Sequence, residues 1–140
     1  MDNLTKEQRL KNMQSIRSKD TKIEIKLRQA LWKKGYRYRK NYNKLIGKPD
    51  IVFIKQKVAI FCDSEFWHGY DWENRKKRIK SNREYWIKKI EMNLMRDRRV
   101  NQQLHDMDWT VIRFWGKEIE QNLDHCLKYI EEILTLKQRR

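Results

Sequence analysis

The chain has 140 residues, with 34 Lys+Arg against 19 Asp+Glu and a formal net charge of +15 at pH 7. Its length suits one compact domain over residues 1–140, and 39 % hydrophobic residues, including 6 Trp, 6 Tyr and 4 Phe, provide a core that a disordered chain would lack. The polar start predicts no secretory signal, no apolar run approaches membrane-spanning length, and Cys62 and Cys126 are too few for a disulfide framework or a CxxC-type zinc site. What remains is a soluble, cytoplasmic, single-domain protein. Its charge would attract a polyanion, nucleic acid ahead of an anionic membrane.

The elements follow in chain order. Thr5-Lys-Glu-Gln has the form of a capping box and predicts an N-terminal helical arm over about 5–18. Thr21-Lys-Ile-Glu24 is a second such box, opening a helix with Ile23, Leu27, Ala30 and Leu31 on one face and Gly35 at its C-cap. Tyr36, Tyr38 and Tyr42 then alternate with polar residues as in a half-exposed strand. Gly47-Lys-Pro-Asp turns into the short apolar run Ile51-Val-Phe-Ile, and Lys55-Gln-Lys turns into Val58-Ala-Ile-Phe-Cys, two strands of central-sheet character. A basic segment from Asn74 to about Leu104 is predicted helical at least from Asn82. Trp109–Trp115 reads as a fourth strand, broken by Gly116, and Glu118–Lys137 as one last amphipathic helix ahead of a basic tail at about 137–140. The fold class is therefore α/β: one mixed sheet of about four strands flanked by helices.

Acids stand at strand ends in this pattern. Asp50 opens one buried strand, and Asp63 and Glu65 lie just past the end of the next, a placement that gathers carboxylates where a hard divalent cation such as Mg²⁺ binds. On a strongly cationic body, such acids suit phosphodiester cleavage: cations hold the polyanion, and a bound metal offsets charge on the phosphorus. The bland alternative is that Asp50 merely caps its strand. Pro49-Asp50 followed by Asp63-Ser64-Glu65 approximates the PD-(D/E)xK nuclease signature, with Glu65 where the lysine belongs. His68, within Phe66-Trp67-His68-Gly69, can act as a base instead. Of the three histidines, His105 and His125 read as helix-surface residues. Between Arg75 and Arg99, eleven Lys/Arg face three acids. Such a run is a solvated helix face by default and a phosphate-contacting one when it adjoins a site, with Arg75, Lys76, Lys77, Arg78 and Arg83 foremost.

Several segments taken together resemble the very-short-patch-repair (Vsr) DNA mismatch endonucleases, a variant branch of the PD-(D/E)xK nucleases. They are Lys11-Asn-Met13, Asp20-Thr-Lys-Ile-Glu24, Gly47-Lys-Pro-Asp50, Ile60 through Gly69, Trp86 through Asn93, Arg96-Asp97-Arg98, and Leu104 through Trp115. They span about residues 9–120 in constant order, and the restriction-endonuclease-like fold follows from the resemblance. The resemblance implies that Asp50 is the central Mg²⁺ ligand with the backbone carbonyl of Cys62 beside it. It further implies that His68 activates water, that Asp97 orients or polarises that water, and that Glu24 completes the acidic cluster. Phe66, Trp67, Trp86 and Met13 would wedge into or contact a duplex whose mispaired step is cheap to unstack. Glu24 is equally the acid of its capping box, and without the resemblance Asp97 reads as one more charge in Arg96-Asp-Arg-Arg.

The pattern departs from the family in two places. Glu65, Tyr70 and Trp72 occupy positions of the structural zinc site, so no zinc is expected and packing must hold that loop. Asp63 replaces a histidine and would bind Mg²⁺ directly. The implied activity is a Mg²⁺-dependent nick in one strand of double-stranded DNA at a T·G mispair left by 5-methylcytosine deamination. The enzyme would work as a monomer at the bacterial nucleoid, alongside mismatch-repair proteins. A restriction- or homing-type nuclease without mismatch preference is the alternative, and a non-catalytic nucleic-acid-binding module is the third class.

Overall fold

A computed structural model describes residues 21–138. The N-terminal arm and Met13 lie outside these residues, as do the last two residues of the basic tail. Helix α1 (Lys22–Lys33) starts after Thr21, whose extended backbone (φ −66°, ψ 164°) makes it the N-cap. The expected capping box does not close there: Thr21 makes no side-chain capping bond, and Glu24 is buried against Asp50 instead. Gly35, at φ +95°, ends the helix as expected, its N–H donating to the Trp32 carbonyl at 3.0 Å.

The strand expected around Tyr36–Tyr42 shrinks to β1 (Arg39–Lys40). Tyr36 and Tyr38 leave the ladder to pack edge-on against Phe53, with ring centroids 6.1 and 6.2 Å away, and the Tyr38 hydroxyl donates to the Arg28 carbonyl at 2.9 Å. Burying two rings outweighs continuing an exposed edge strand. Strands β2 (Ile51–Phe53), β3 (Val58–Asp63) and β4 (Thr110–Trp115) complete a four-stranded sheet in the order β1-β2-β3-β4. The first two pairings are antiparallel and β3–β4 is parallel, so the sheet is mixed, as expected.

Both faces of the sheet are covered. On one, Leu27 and Leu31 of α1 pack with Ile51, Ile60, Cys62, Ile112 and Phe114, together with Ile119, Leu127 and Ile130 from the C-terminal helices. On the other, Phe61 and Ala59 pack with Val100 and Leu104 of helix α3 (Arg83–Asp106) and with Leu45. All six residues of β3 are buried, which explains its unbroken apolar run. Before α3 come a single turn, α2 (Trp72–Arg75), and a 3₁₀ turn at Lys76–Arg78.

The single C-terminal helix expected from Glu118 divides into α4 (Gly116–Gln121) and α5 (Leu123–Gln138). Asn122 (φ −133°, ψ 47°) interrupts the helical backbone between them. Gly116, expected to break the strand, also begins α4. Among the described residues no helix is long and apolar enough to cross a membrane.

Candidate active site

The site forms where β3 ends. Because β2 runs antiparallel to β3, the residue preceding β2 lies beside the last residues of β3; the Asp50 N–H donates to the Ile60 carbonyl at 3.0 Å. The Asp50 side chain then turns onto the next free backbone donor, and its Oδ2 accepts from the Cys62 N–H at 2.7 Å. Helix α1 delivers Glu24, 4 % exposed, into hydrogen-bonding contact with Asp50, while Arg28, one turn on, reaches Glu24 Oε2 at 4.0 Å. Burial raises the Asp50 carboxyl from 3.8 to about 7; the neighbouring Glu24 and Asp63 add to the rise, and the Cys62 N–H opposes it. A divalent cation at this place would offset the repulsion that Glu24 exerts on Asp50. The donors are carboxylate oxygens, and this set fits a hard ion such as Mg²⁺.

On the other side of the same strand end, four groups close a ring. His68 Nδ1 lies 2.6 Å from Asp97 Oδ2, and its Nε2 lies 3.7 Å from Asp63 Oδ1. Arg113 on β4 places Nη1 3.1 Å from both Asp63 oxygens and 3.7 Å from Asp97 Oδ1. Its Nε donates to Asn101 Oδ1 at 2.7 Å, and its guanidinium carbon sits 4.1 Å from the centre of the Phe61 ring. Asp63, expected beside Asp50 as a metal ligand, thus has both oxygens on an arginine. Burial raises the Asp63 carboxyl, and His68 and Arg113 offset only part of that. For His68, burial pulls the imidazole down, but the Asp97 hydrogen bond and the charges of Asp63 and Asp97 outweigh it, so the net shift is upward from 6.5.

The loop carrying His68 is bound on every side. The His68 N–H donates to the Ser64 carbonyl (3.1 Å) and the Tyr70 N–H to the Glu65 carbonyl (2.9 Å), which coils residues 64–70 tightly. Gly69, at φ +70°, permits that coil, and any Cβ there would meet Leu94 at 2.9 Å. Buried Asn93, one turn before Asp97 on α3, donates to the Trp67 carbonyl at 3.1 Å, so one helix face grips both His68 and its neighbour. The Glu65 carboxylate accepts from the Lys117 N–H at 2.7 Å, over Gly116, where a Cβ would stand 3.1 Å from Oε1. Tyr70 packs edge-on against Trp115 at 5.1 Å, and Trp72 Nε1 donates to Glu91 at 3.1 Å.

Phe66, Trp67 and Trp86 form an aromatic cluster, with centroid separations of 5.3–5.8 Å. Trp67 is 2 % exposed and Trp86 9 %, whereas Phe66 is half-buried at the rim with Arg75 over its ring. Of the basic residues singled out, Lys77 and Arg78 are exposed. Lys76 instead pairs with Glu91 at 3.0 Å, and Arg83 clamps the turn by donating to the carbonyls of Lys76 and Ile79.

Asn93, Asn101 and Arg113 were not singled out from the sequence. Arg113 had a signal: it is a full charge inside Thr110-Val-Ile-Arg-Phe-Trp, a strand otherwise suited to burial, and such a charge needs partners.

A strand end flanked by an acid pair and a histidine–aspartate dyad, on a body of charge +15, is the equipment of an endonuclease that works on a polyanion. The family described as DNA mismatch endonuclease Vsr matches residues 1–74. A type II nicking enzyme of Neisseria meningitidis serogroup C is 51 % identical over 138 residues, covering 99 % of this chain and 93 % of that protein. A type II nicking enzyme of Haemophilus parainfluenzae is 51 % identical over 87 % of each chain. The DNA mismatch endonuclease Vsr of Escherichia coli (strain K12) is 35 % identical over 76 % of this chain and 68 % of its own. The chain belongs to the Vsr DNA mismatch endonuclease family and is a DNA endonuclease.

Proposed function

We propose that the protein nicks one strand of double-stranded DNA at a T·G mispair, the product of 5-methylcytosine deamination, with Mg²⁺ held at Asp50. The observation that carries the cleavage part of this reading is the His68–Asp97 dyad at 2.6 Å, set at the same strand end as the Asp50–Glu24 pair, while the mismatch part is supported by membership of the family. Asp50 and the backbone carbonyl of Cys62 would hold the ion, with Glu24 behind them. A divalent cation bound there supplies positive charge to a phosphate gaining negative charge. With Nδ1–H donated to Asp97, the neutral His68 imidazole presents a bare Nε2, which takes the proton of the attacking water. Asp63, 3.7 Å from Nε2, then stabilises the imidazolium.

Phe66 is the aromatic whose rim position suits a wedge, and Trp67 and Trp86 form the rigid bed behind it. Met13 belongs to the same contact set by resemblance. Lys77 and Arg78 take phosphates, joined by Arg75, while Lys76 and Arg83 brace the turn that presents them. Cleavage of matched and T·G-mismatched duplexes in Mg²⁺, each strand separately labelled, tests this reading, with Asp50→Ala as control. A Mg²⁺-dependent nick beside the mispaired T, absent from the variant, is expected. Equal cutting of matched DNA would replace the mismatch reading with a restriction-type one.

A further inference from the structure

We propose that the Arg113 guanidinium is a resident cation standing in for a second metal ion. The chain then holds one divalent ion, at Asp50, and the cluster of Asp63, His68 and Asp97 becomes a cation site only when Arg113 is removed. This rests on Asp50 being the metal ligand.

Asp63, His68 and Asp97 each offer one ligand atom, all within 4.8 Å of one another, a spacing that could close around a metal ion. Nη1 of Arg113 instead serves this cluster, bridging both oxygens of Asp63 and facing Asp97. The guanidinium is not a loose surface charge that an ion could push aside. Asn101 holds its Nε, Phe61 lies against its plane, and its backbone is locked in the parallel β3–β4 ladder opposite Phe61. Its side chain is only 18 % exposed. An ion entering beside this fixed guanidinium would meet like charge at contact distance. Arg113 therefore acts as a positioning residue: it holds Asp63 and Asp97 in place on either side of His68, and keeps metal off both.

The test counts Mn²⁺ bound to the metal-stripped full chain, by the loss of the free-ion paramagnetic resonance signal. One ion is expected for the natural sequence, none for Asp50→Asn and one for Asp63→Asn. Arg113→Lys, which retains the charge, should also bind one. Arg113→Gln should bind two, and the added ion should vanish in Arg113→Gln combined with Asp63→Asn. Two ions in the natural protein, one of them lost in Asp63→Asn, would overturn the proposal. So would a single ion in an Arg113→Gln variant whose circular dichroism and melting match the natural protein. Should Arg113→Gln fail to fold, the Asp63→Asn count decides alone, since fewer ions than in the natural protein refutes the proposal. Undiminished binding in Asp50→Asn would sink the Asp50 assignment instead, and the gain on removing Arg113 is scored separately from it.

Discussion

Replacing Asp50 by asparagine should stabilise the metal-free protein while destroying its activity. The Asp50 carboxyl rises from 3.8 to about 7 on folding. A carboxyl raised in this way contributes full stability below the unfolded value, and that stability is lost as pH climbs through the folded value. Relative to acid pH, where both states are protonated, this rise lowers stability by roughly 1.5 kcal/mol at pH 5, where only the unfolded carboxyl ionises, and by about 4 kcal/mol at pH 8, where the folded one ionises too. Asparagine keeps an oxygen to accept the Cys62 N–H and offers an amide to Glu24, so it removes the charge and retains the bonds. Urea unfolding in EDTA should therefore show Asp50→Asn more stable than the natural protein, by a margin about 2–3 kcal/mol larger at pH 8 than at pH 5. Adding Mg²⁺ should shrink that margin at pH 8, because only the natural protein gains from binding. A margin equal at the two pH values, or a variant less stable at pH 8 in EDTA, would refute the electrostatic reasoning.

Other consequences can be measured as directly. His68→Ala should lower kcat by about 10²–10⁴-fold. If His68 acts as the neutral base, kcat/KM in the natural protein should rise with pH through a value above 6.5; Asp97→Asn keeps an acceptor oxygen but removes the negative charge that helps raise His68, and should move that limb to lower pH. Glu65→Ala leaves the Lys117 N–H without its acceptor and should cost about 1–3 kcal/mol in urea unfolding. Phe66→Ala should reduce the preference for mismatched over matched duplex at little cost to folding, whereas Trp67→Ala should cost about 3–5 kcal/mol in unfolding titrations. Replacing Lys77 and Arg78 together by alanine should flatten the plot of log binding constant against log salt by about 2, near 0.9 per lost phosphate contact.

The elements that carried strong periodicity were legible in the sequence. The apolar runs of β2 and β3, the helical face of Leu27 and Leu31, and Gly35 as terminator all follow from local rules. The first strand misled because alternating tyrosines satisfy a strand pattern equally well when they bracket a core phenylalanine. Asn122 was invisible as a break because one helix and two helices in line bury much the same residues. In the site, acids at strand ends and the histidine beside them could be named from order alone. That Asp63 would meet Arg113 could not, because the contact depends on the register of two strands 50 residues apart and on which face each side chain takes. Glu24 reads locally as the acid of a capping box, and only the family resemblance points to the acidic cluster where it meets Asp50.

The parallel pairing of β3 with β4 also sets the order in which the enzyme is armed. Asp50, Asp63 and His68 leave the ribosome well before the partners that complete them, since Asp97 lies 29 residues after His68 and Arg113 lies 50 after Asp63. A parallel pair cannot form by a local hairpin; the intervening α3 must first be made and laid across the sheet. A nascent or truncated chain therefore carries the acids and the base without the geometry that joins them. The His68–Asp97 contact thus waits on α3, and the Asp63–Arg113 contact on the joining of β4 to the sheet.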